Sequence, residues 1–278
     1  MRLPRLLTLF AIALVSAAAH LDAATEIPFN FADGMVWVKV SVAGQSAPLN
    51  FLLDSGAGAS VLDLGAARRL GVKLGRAENV QGVGGRATAY RVNAFKASAN
   101  SVPVPGSLLA LDLSTVSDGM HQRIDGLLGA DFFHGRIVQI DYRTAKLRLL
   151  DRSELNAIGG EAVLLARRND AMCIRVAVAG NAPEWMRVDT GCNRSLEWVA
   201  TGAKAKALAR TSVGVSSGSA RRISADVQLG SQRLAAVRIG LHSQQMFAGE
   251  AGLLGNGVLS QFTVTFDPAK SRLIFARR

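Results

Sequence analysis

From Val36 to Gly56 the chain reads VWVKVSVAGQSAPLNFLLDSG, apolar residues alternating with polar ones and then running continuously into an aspartate. Period-two alternation interrupted by a glycine-containing turn predicts a β-hairpin. From Met172 to Gly191 the pattern returns as MCIRVAVAGNAPEWMRVDTG, one residue shorter, and it predicts a second hairpin turning near Gly180 to Pro183. Each hairpin delivers an aspartate at the end of its second strand. Asp54 is followed by Ser55 and Gly56, and Asp189 by Thr190 and Gly191.

The repetition continues downstream. DGLLGADFFHGRIVQIDYRTAKLRLL (Asp125 to Leu150) aligns without a gap on AGLLGNGVLSQFTVTFDPAKSRLIFA (Ala251 to Ala276), so that Gly126 to Gly129 fall on Gly252 to Gly255 and Asp141 on Asp267. Two signals in one order at similar separation imply a duplicated unit. Between them each half has a tip of small residues: Gly82, Val83, Gly84 and Gly85 in QGVGGR, and Ser216, Ser217 and Gly218 in VSSGSA. Both read as turns of hairpins, since glycine supplies the positive φ that tight turns need. Helical pattern is sparse, with short helices expected at 62–70 and around 130–134. The fold expected is mainly β and two-lobed: an N-terminal lobe over 25–155 and a C-terminal lobe over 156–278, with the boundary where SELNAIGGE interrupts the strand pattern.

Residues 1–24 stand apart. Arg2 and Arg5 precede the apolar run LLTLFAIALVSAAA, which is too short to span a bilayer and ends in small residues. This is the pattern of a secretory signal peptide, with cleavage expected at Ala17-Ala18-Ala19 or after Ala23 or Ala24. No cysteine stands near those sites to carry a lipid anchor, so an exported protein is expected, periplasmic in a two-membraned bacterium or secreted, with no stable membrane anchor after cleavage.

Charge and cysteines narrow the chemistry. The 278 residues carry a formal charge of +11, but their basic residues come as scattered pairs and only 6% of positions are aromatic, which argues against a nucleic-acid face. Cys173 and Cys192 are too few for a disulfide scaffold, yet the second hairpin would bring their segments together, so one bridge is an expectation. The four histidines show no metal-ligand spacing, and no metal or other cofactor is expected. GVSSG at 214–218 matches the nucleophile-elbow pattern but precedes a strand-like segment where a helix is required. GVGGRA at 82–87 lacks the helix that a dinucleotide fingerprint needs.

Asp54-Ser55-Gly56-Ala57 and Asp189-Thr190-Gly191-Cys192, each with its GLLG downstream, resemble the retropepsin and pepsin family of aspartic proteases. The resemblance covers nearly all of the chain after residue 27 and implies a pepsin-like intramolecular pseudo-dimer, monomeric, with Asp54 and Asp189 as a catalytic pair. It implies that Ser55 and Thr190 bond across to the opposite lobe and that Gly56 and Gly191 let the backbone pass behind the carboxylates. The tips at Gly82 to Gly85 and Ser216 to Gly218 become flaps over an extended peptide or protein substrate. Ala57 and Cys192 stand where pepsins place a hydroxyl that bonds the catalytic carboxylate, which implies a higher pKa for the pair and a mildly acidic optimum. A peptide-binding module of the same fold without hydrolysis is the alternative. Asp141 and Asp267 read as hairpin-turn aspartates.

Overall fold

The computed structural model describes residues 25–82, 85–118, 120, 122–200 and 221–277. The signal-peptide expectation therefore lies outside the described residues. The fold is mainly β. Met35–Val42 pairs antiparallel with Leu49–Leu53, and Ala171–Val178 with Glu184–Val188. Both hairpins turn on the same tripeptide, Val-Ala-Gly. Gln45 N–H donates to Val42 O (3.1 Å) and Asn181 N–H to Val178 O (2.9 Å). Gly44 and Gly180 take φ of +80° and +74°, which a side chain would resist.

Each hairpin's second strand then receives a short parallel neighbour. Gly126–Leu128 inserts between Leu49–Leu53, which it meets in parallel, and Val61–Asp63, which it meets antiparallel. Gly252–Leu254 inserts in the same way between Glu184–Val188 and Leu196–Val199. These are the two GLLG segments. Their glycines are required by close packing: a Cβ on Gly126 would lie 2.5 Å from Val61 O, and one on Gly255 2.7 Å from Cys192 O.

The halves join through a shared sheet, in which Ile137–Asp141 pairs antiparallel with Phe262–Asp267. Gln139 stands opposite Thr265, its counterpart in the alignment of the two halves, and its Nε2 donates to Thr265 Oγ1 at 3.2 Å in the interior. Behind this sheet Phe133 and Phe266, both fully buried, meet at 4.7 Å between ring centroids with their planes tilted by 51°. One apolar core thus runs through residues of both halves.

The short helices differ in detail from the sequence reading. Val61–Asp63 is drawn into the sheet by pairing with Gly126 and Leu127, so the helix expected from residue 62 occupies Leu64–Arg69, capped by Asp63, whose Oδ2 accepts from Ala66 N–H at 2.9 Å. The turn after the first GLLG is a 3-10 helix, Ala130–Phe133. The segment between the halves holds the helix Arg152–Asn156, closed by a capping box between Asp151 and Glu154. Because the core and the sheet are shared, Phe133→Ala is expected to cost about 3–5 kcal/mol and to leave one cooperative transition. Denaturant unfolding followed separately by the tryptophans of the two halves, Trp37 against Trp185 and Trp198, would refute this if the midpoints diverged.

Candidate active site

The backbone of each parallel strand pair aims an aspartate at the same place. Asp54 N–H donates to Leu128 O (2.8 Å) and Asp189 N–H to Leu254 O (2.9 Å), which fixes both residues just past the strand ends. The chain then turns back, with Ala57 N–H on Asp54 O at 3.1 Å and Cys192 N–H on Asp189 O at 3.2 Å. The two carboxyl groups hydrogen-bond to each other.

Behind the carboxyls the two loops are cross-tied. Ser55 Oγ donates to Val188 O (2.7 Å), while Thr190 Oγ1 donates to Leu53 O (2.8 Å). In return Ser55 N–H donates to Thr190 Oγ1 (2.9 Å) and Thr190 N–H to Ser55 Oγ (3.1 Å). Both hydroxyls are fully buried, so losing either partner would strand a polar group away from water. Gly56 and Gly191 are needed for a different reason. A Cβ on Gly56 would lie 2.5 Å from Asp189 Cγ, and one on Gly191 2.5 Å from Asp54 Cγ. Each glycine is therefore the space into which the opposite carboxyl fits.

The two carboxyls are not equivalent. Asp54 Oδ1 accepts from Gly56 N–H (3.1 Å) and Ala57 N–H (2.9 Å), whereas Asp189 Oδ1 accepts from Gly191 N–H alone (2.9 Å). Burial raises both pKa values above the ordinary carboxylate range, and at Asp189, 7% exposed, the charge of Asp54 raises it further. Two carboxylates in contact cannot both ionise comfortably, so they hold one proton between them over a range of pH. The extra N–H donor on Asp54 weights the negative charge toward it and the proton toward Asp189.

Three buried residues complete the surroundings without having been singled out in the sequence. Arg187, two residues before Asp189, lies 4% exposed and forms a bidentate pair with Glu250, Nε to Oε2 at 2.8 Å and NH2 to Oε1 at 2.7 Å. Its remaining NH1 donates to Gly56 O at 2.8 Å. Asn256 stands just after the second GLLG; its Nδ2 donates to Thr190 O and Gly34 O, both at 2.7 Å, and its Oδ1 accepts from Tyr142 OH at 2.8 Å. Comparison of the halves position by position would have exposed all three: Arg187, Glu250 and Asn256 stand where the first half has Leu52, Ile124 and Ala130.

The tips are placed differently. Gly82 and Gly85 pair at the end of the hairpin Ala77–Gly82 and Gly85–Val92, which extends from the sheet edge beside Leu108–Leu111. The outer part of this hairpin is exposed. Val83 and Gly84 lie outside the described residues, as do Ser216, Ser217 and Gly218; the strand that follows the second tip, Arg221–Leu229, pairs with Gln232–His242. Cys173 and Cys192 are free thiols, which corrects the expected disulfide. The pairing register sets Arg187 opposite Cys173 and carries Cys192 beyond the strand end, past the Asp189 turn. Burial pushes both thiols up to about 12, so neither is a nucleophile at neutral pH. Asp141 caps its turn through Arg143 N–H and Thr144 N–H, and Asp267 is buried between Arg152 and Arg272. Among the described residues no group of three or more His, Cys, Asp or Glu side chains is placed to hold a metal ion.

The model of the aspartyl protease family matches residues 38–132. That span includes Asp54 and the first GLLG strand and stops before Asp189. No curated protein matches the chain.

The raised pKa values carry a stability consequence with a definite sign. A carboxyl that binds its proton more tightly when folded destabilises the fold as pH rises from its unfolded value, near 4, through the folded one. Asp189→Asn should therefore raise the neutral-pH stability by about 1 kcal/mol or more, with the gain vanishing near pH 3. Thermal melts of both proteins across this range measure it; a gain that persisted undiminished in acid would contradict it.

Proposed function

We propose that the protein is an aspartic endopeptidase in which the two halves form an intramolecular pseudo-dimer around Asp54 and Asp189. The observation that carries this reading is the pair of carboxyls in mutual hydrogen bond, each at the end of a matched strand and each backed by the other half's hydroxyl. The family match over 38–132 and the counterpart pairing of Gln139 with Thr265 support it. The export-signal pattern of residues 1–24 supports a substrate outside the cytoplasm.

In the singly protonated state the pair holds a water molecule. Ionised Asp54 takes a proton from that water while protonated Asp189 donates to the oxygen of the scissile carbonyl. The water oxygen bonds to the carbonyl carbon and a tetrahedral diol results. Proton transfer to the amide nitrogen then allows the C–N bond to break, giving a carboxylic acid and an amine, with one proton again shared by the pair. The cross-tied loops supply the positioning that such a step requires, because each carboxyl is held from both sides. An extended substrate would pair its backbone with the exposed hairpin formed by Ala77–Gly82 and Gly85–Val92, as an added strand.

The direct test is cleavage of a diverse peptide library by the purified protein from pH 3 to 8, with Asp54→Asn and Asp189→Asn as controls. Each substitution is expected to lower kcat/KM by at least about a thousandfold, since the two carboxyls act as one unit. The rate should peak in mildly acidic solution, because burial lifts the pair while pepsin-type hydroxyl bonds are missing at Ala57 and Cys192. A maximum near pH 2 would contradict the pKa argument, and tight peptide binding without cleavage would transfer the protein to the peptide-binding reading.

A further inference from the structure

The two halves answer the same structural position with opposite chemistry. In the first half the rung behind the aspartate is Trp37, Leu52 and Leu127, and in the second it is Cys173, Arg187 and Leu253. Leu52 packs with Ile124 in a small apolar cluster that also contains Met35, Trp37, Val61 and Leu113. Arg187 instead meets Glu250, the counterpart of Ile124, and its guanidinium carbon lies 3.3 Å from the centroid of the Phe247 ring. The first half thus demonstrates an uncharged solution to the same packing problem. A buried ion pair is seldom more stable than a well-packed apolar pair of similar volume, because both charges must leave water. Stability alone therefore does not account for Arg187.

Its hydrogen bonds suggest what does. Two of the guanidinium's nitrogens are committed to Glu250, which leaves NH1 aimed out of the pair and across the junction to Gly56 O, in the loop that follows Asp54. Glu250 is itself fixed from the far side by Asn169 Nδ2 on Oε1 at 2.9 Å. The fork is consequently oriented, and a flexible lysine could not serve both partners in this geometry. We infer that Arg187 is a positioning residue of the carboxyl pair: carried by the half that supplies Asp189, it holds the loop of Asp54 and keeps a fixed cation behind both aspartates.

The groups that face this cation are Glu250, Asp54, Asp189 and the Cys173 thiol on the adjacent strand, with Arg168 beyond and the Cys192 thiol on the far side of Asp189. Both thiols are neutral below pH 8, so among the described residues around Arg187 it is the two aspartates whose titration its charge bears on. Its field opposes the effect of burial on both members of the pair. Removing Arg187 with its counter-ion should raise the pH at which the pair gives up its first proton. Removing Glu250 alone leaves the cation uncompensated and should lower it.

The inference deepens the protease reading and rests on it for its catalytic meaning, but the titration can be measured without any substrate. Three full-chain variants serve: the double variant Arg187→Leu with Glu250→Ile, which copies the first half's own Leu52 and Ile124; Glu250→Gln; and Arg187→Lys. Folding is checked by circular dichroism, and the aspartate carboxyl carbons are titrated by NMR alongside peptide cleavage. The double variant is expected to move the first midpoint, and the acid limb of any cleavage profile, upward by about one pH unit. Glu250→Gln should move them downward, and Arg187→Lys should keep the midpoint near that of the unaltered protein while lowering kcat more than it raises KM. If the double variant failed to fold, a lowered midpoint in Glu250→Gln beside an unmoved midpoint and reduced kcat in Arg187→Lys would still support the inference. Unshifted midpoints in the folded double variant and in Glu250→Gln would overturn it and leave the protease reading intact. Shifted midpoints in a protein that never cuts peptides would uphold the placement of the cation and overturn the protease reading.

Discussion

Ser55 and Thr190 exchange hydrogen bonds through the centre of the molecule, and much of the surrounding architecture serves to bring them within reach. Each hydroxyl both accepts from the opposite residue's N–H and donates to the carbonyl that precedes the opposite aspartate. A hydroxyl can do this only if the two loops approach almost to backbone contact. Such an approach leaves no room for side chains at the next position, which is why each half follows its hydroxyl residue with a glycine. It also forces the two carboxyls together, since each occupies the space left by the other half's missing Cβ. The proximity of two acids, otherwise unfavourable, is thus a geometric consequence of the tie beneath them.

Holding that tie requires the halves to be rigidly registered over a much longer span. The pairing of Ile137–Asp141 with Phe262–Asp267 and the shared aromatic core set the distance between them. Asn256 sets the angle at the junction, because its amide joins Thr190 of one half to Gly34 of the other and takes the Tyr142 hydroxyl on its remaining oxygen. A Cβ on Gly34, in the turn that joins Thr25–Ala32 to Met35–Val42, would meet Asn193 at 3.0 Å, so that turn sits directly against the Asp189 loop. The contacts that matter for the carboxyls are therefore made largely by residues distant in sequence, and no single half contains a complete support.

Much of this could be read from the chain because it is written in local patterns. Alternation fixed the two hairpins, and the gapless GLLG alignment located the strands that later proved to lie beside them, since a two-residue period and small-residue punctuation survive without knowledge of the fold. What escaped was non-local. Arg187 lies in an alternating strand, where an arginine reads as a solvent-facing residue, and its partner Glu250 comes from a loop with no periodicity at all. The disulfide was expected because two segments were correctly placed side by side, but adjacency of strands does not fix register, and the register set Cys173 against Arg187. The helix expected from residue 62 lost its first residues to a strand pairing that depends on Gly126, far along the chain.

The electrostatics of the pair follow from the same division between local and distant groups. Burial acts on both carboxyls and would, unopposed, hold them protonated, and at Asp189 the charge of Asp54 adds to it. The opposing influences are unequal: Asp54 has two backbone N–H donors from its own turn, Asp189 has one, and the cation shared by both sits on the strand of Asp189 while bonding to the loop of Asp54. An internally duplicated structure with two identical halves would have no means of choosing which carboxyl carries the charge. Replacing an apolar contact in one half by Arg187 and Glu250, and placing different N–H complements on the two aspartates, breaks that equivalence while leaving the backbone symmetry that brings them together. The matched strands and loops of the two halves supply the proximity of the acids, and the departures from that match give the two acids different surroundings.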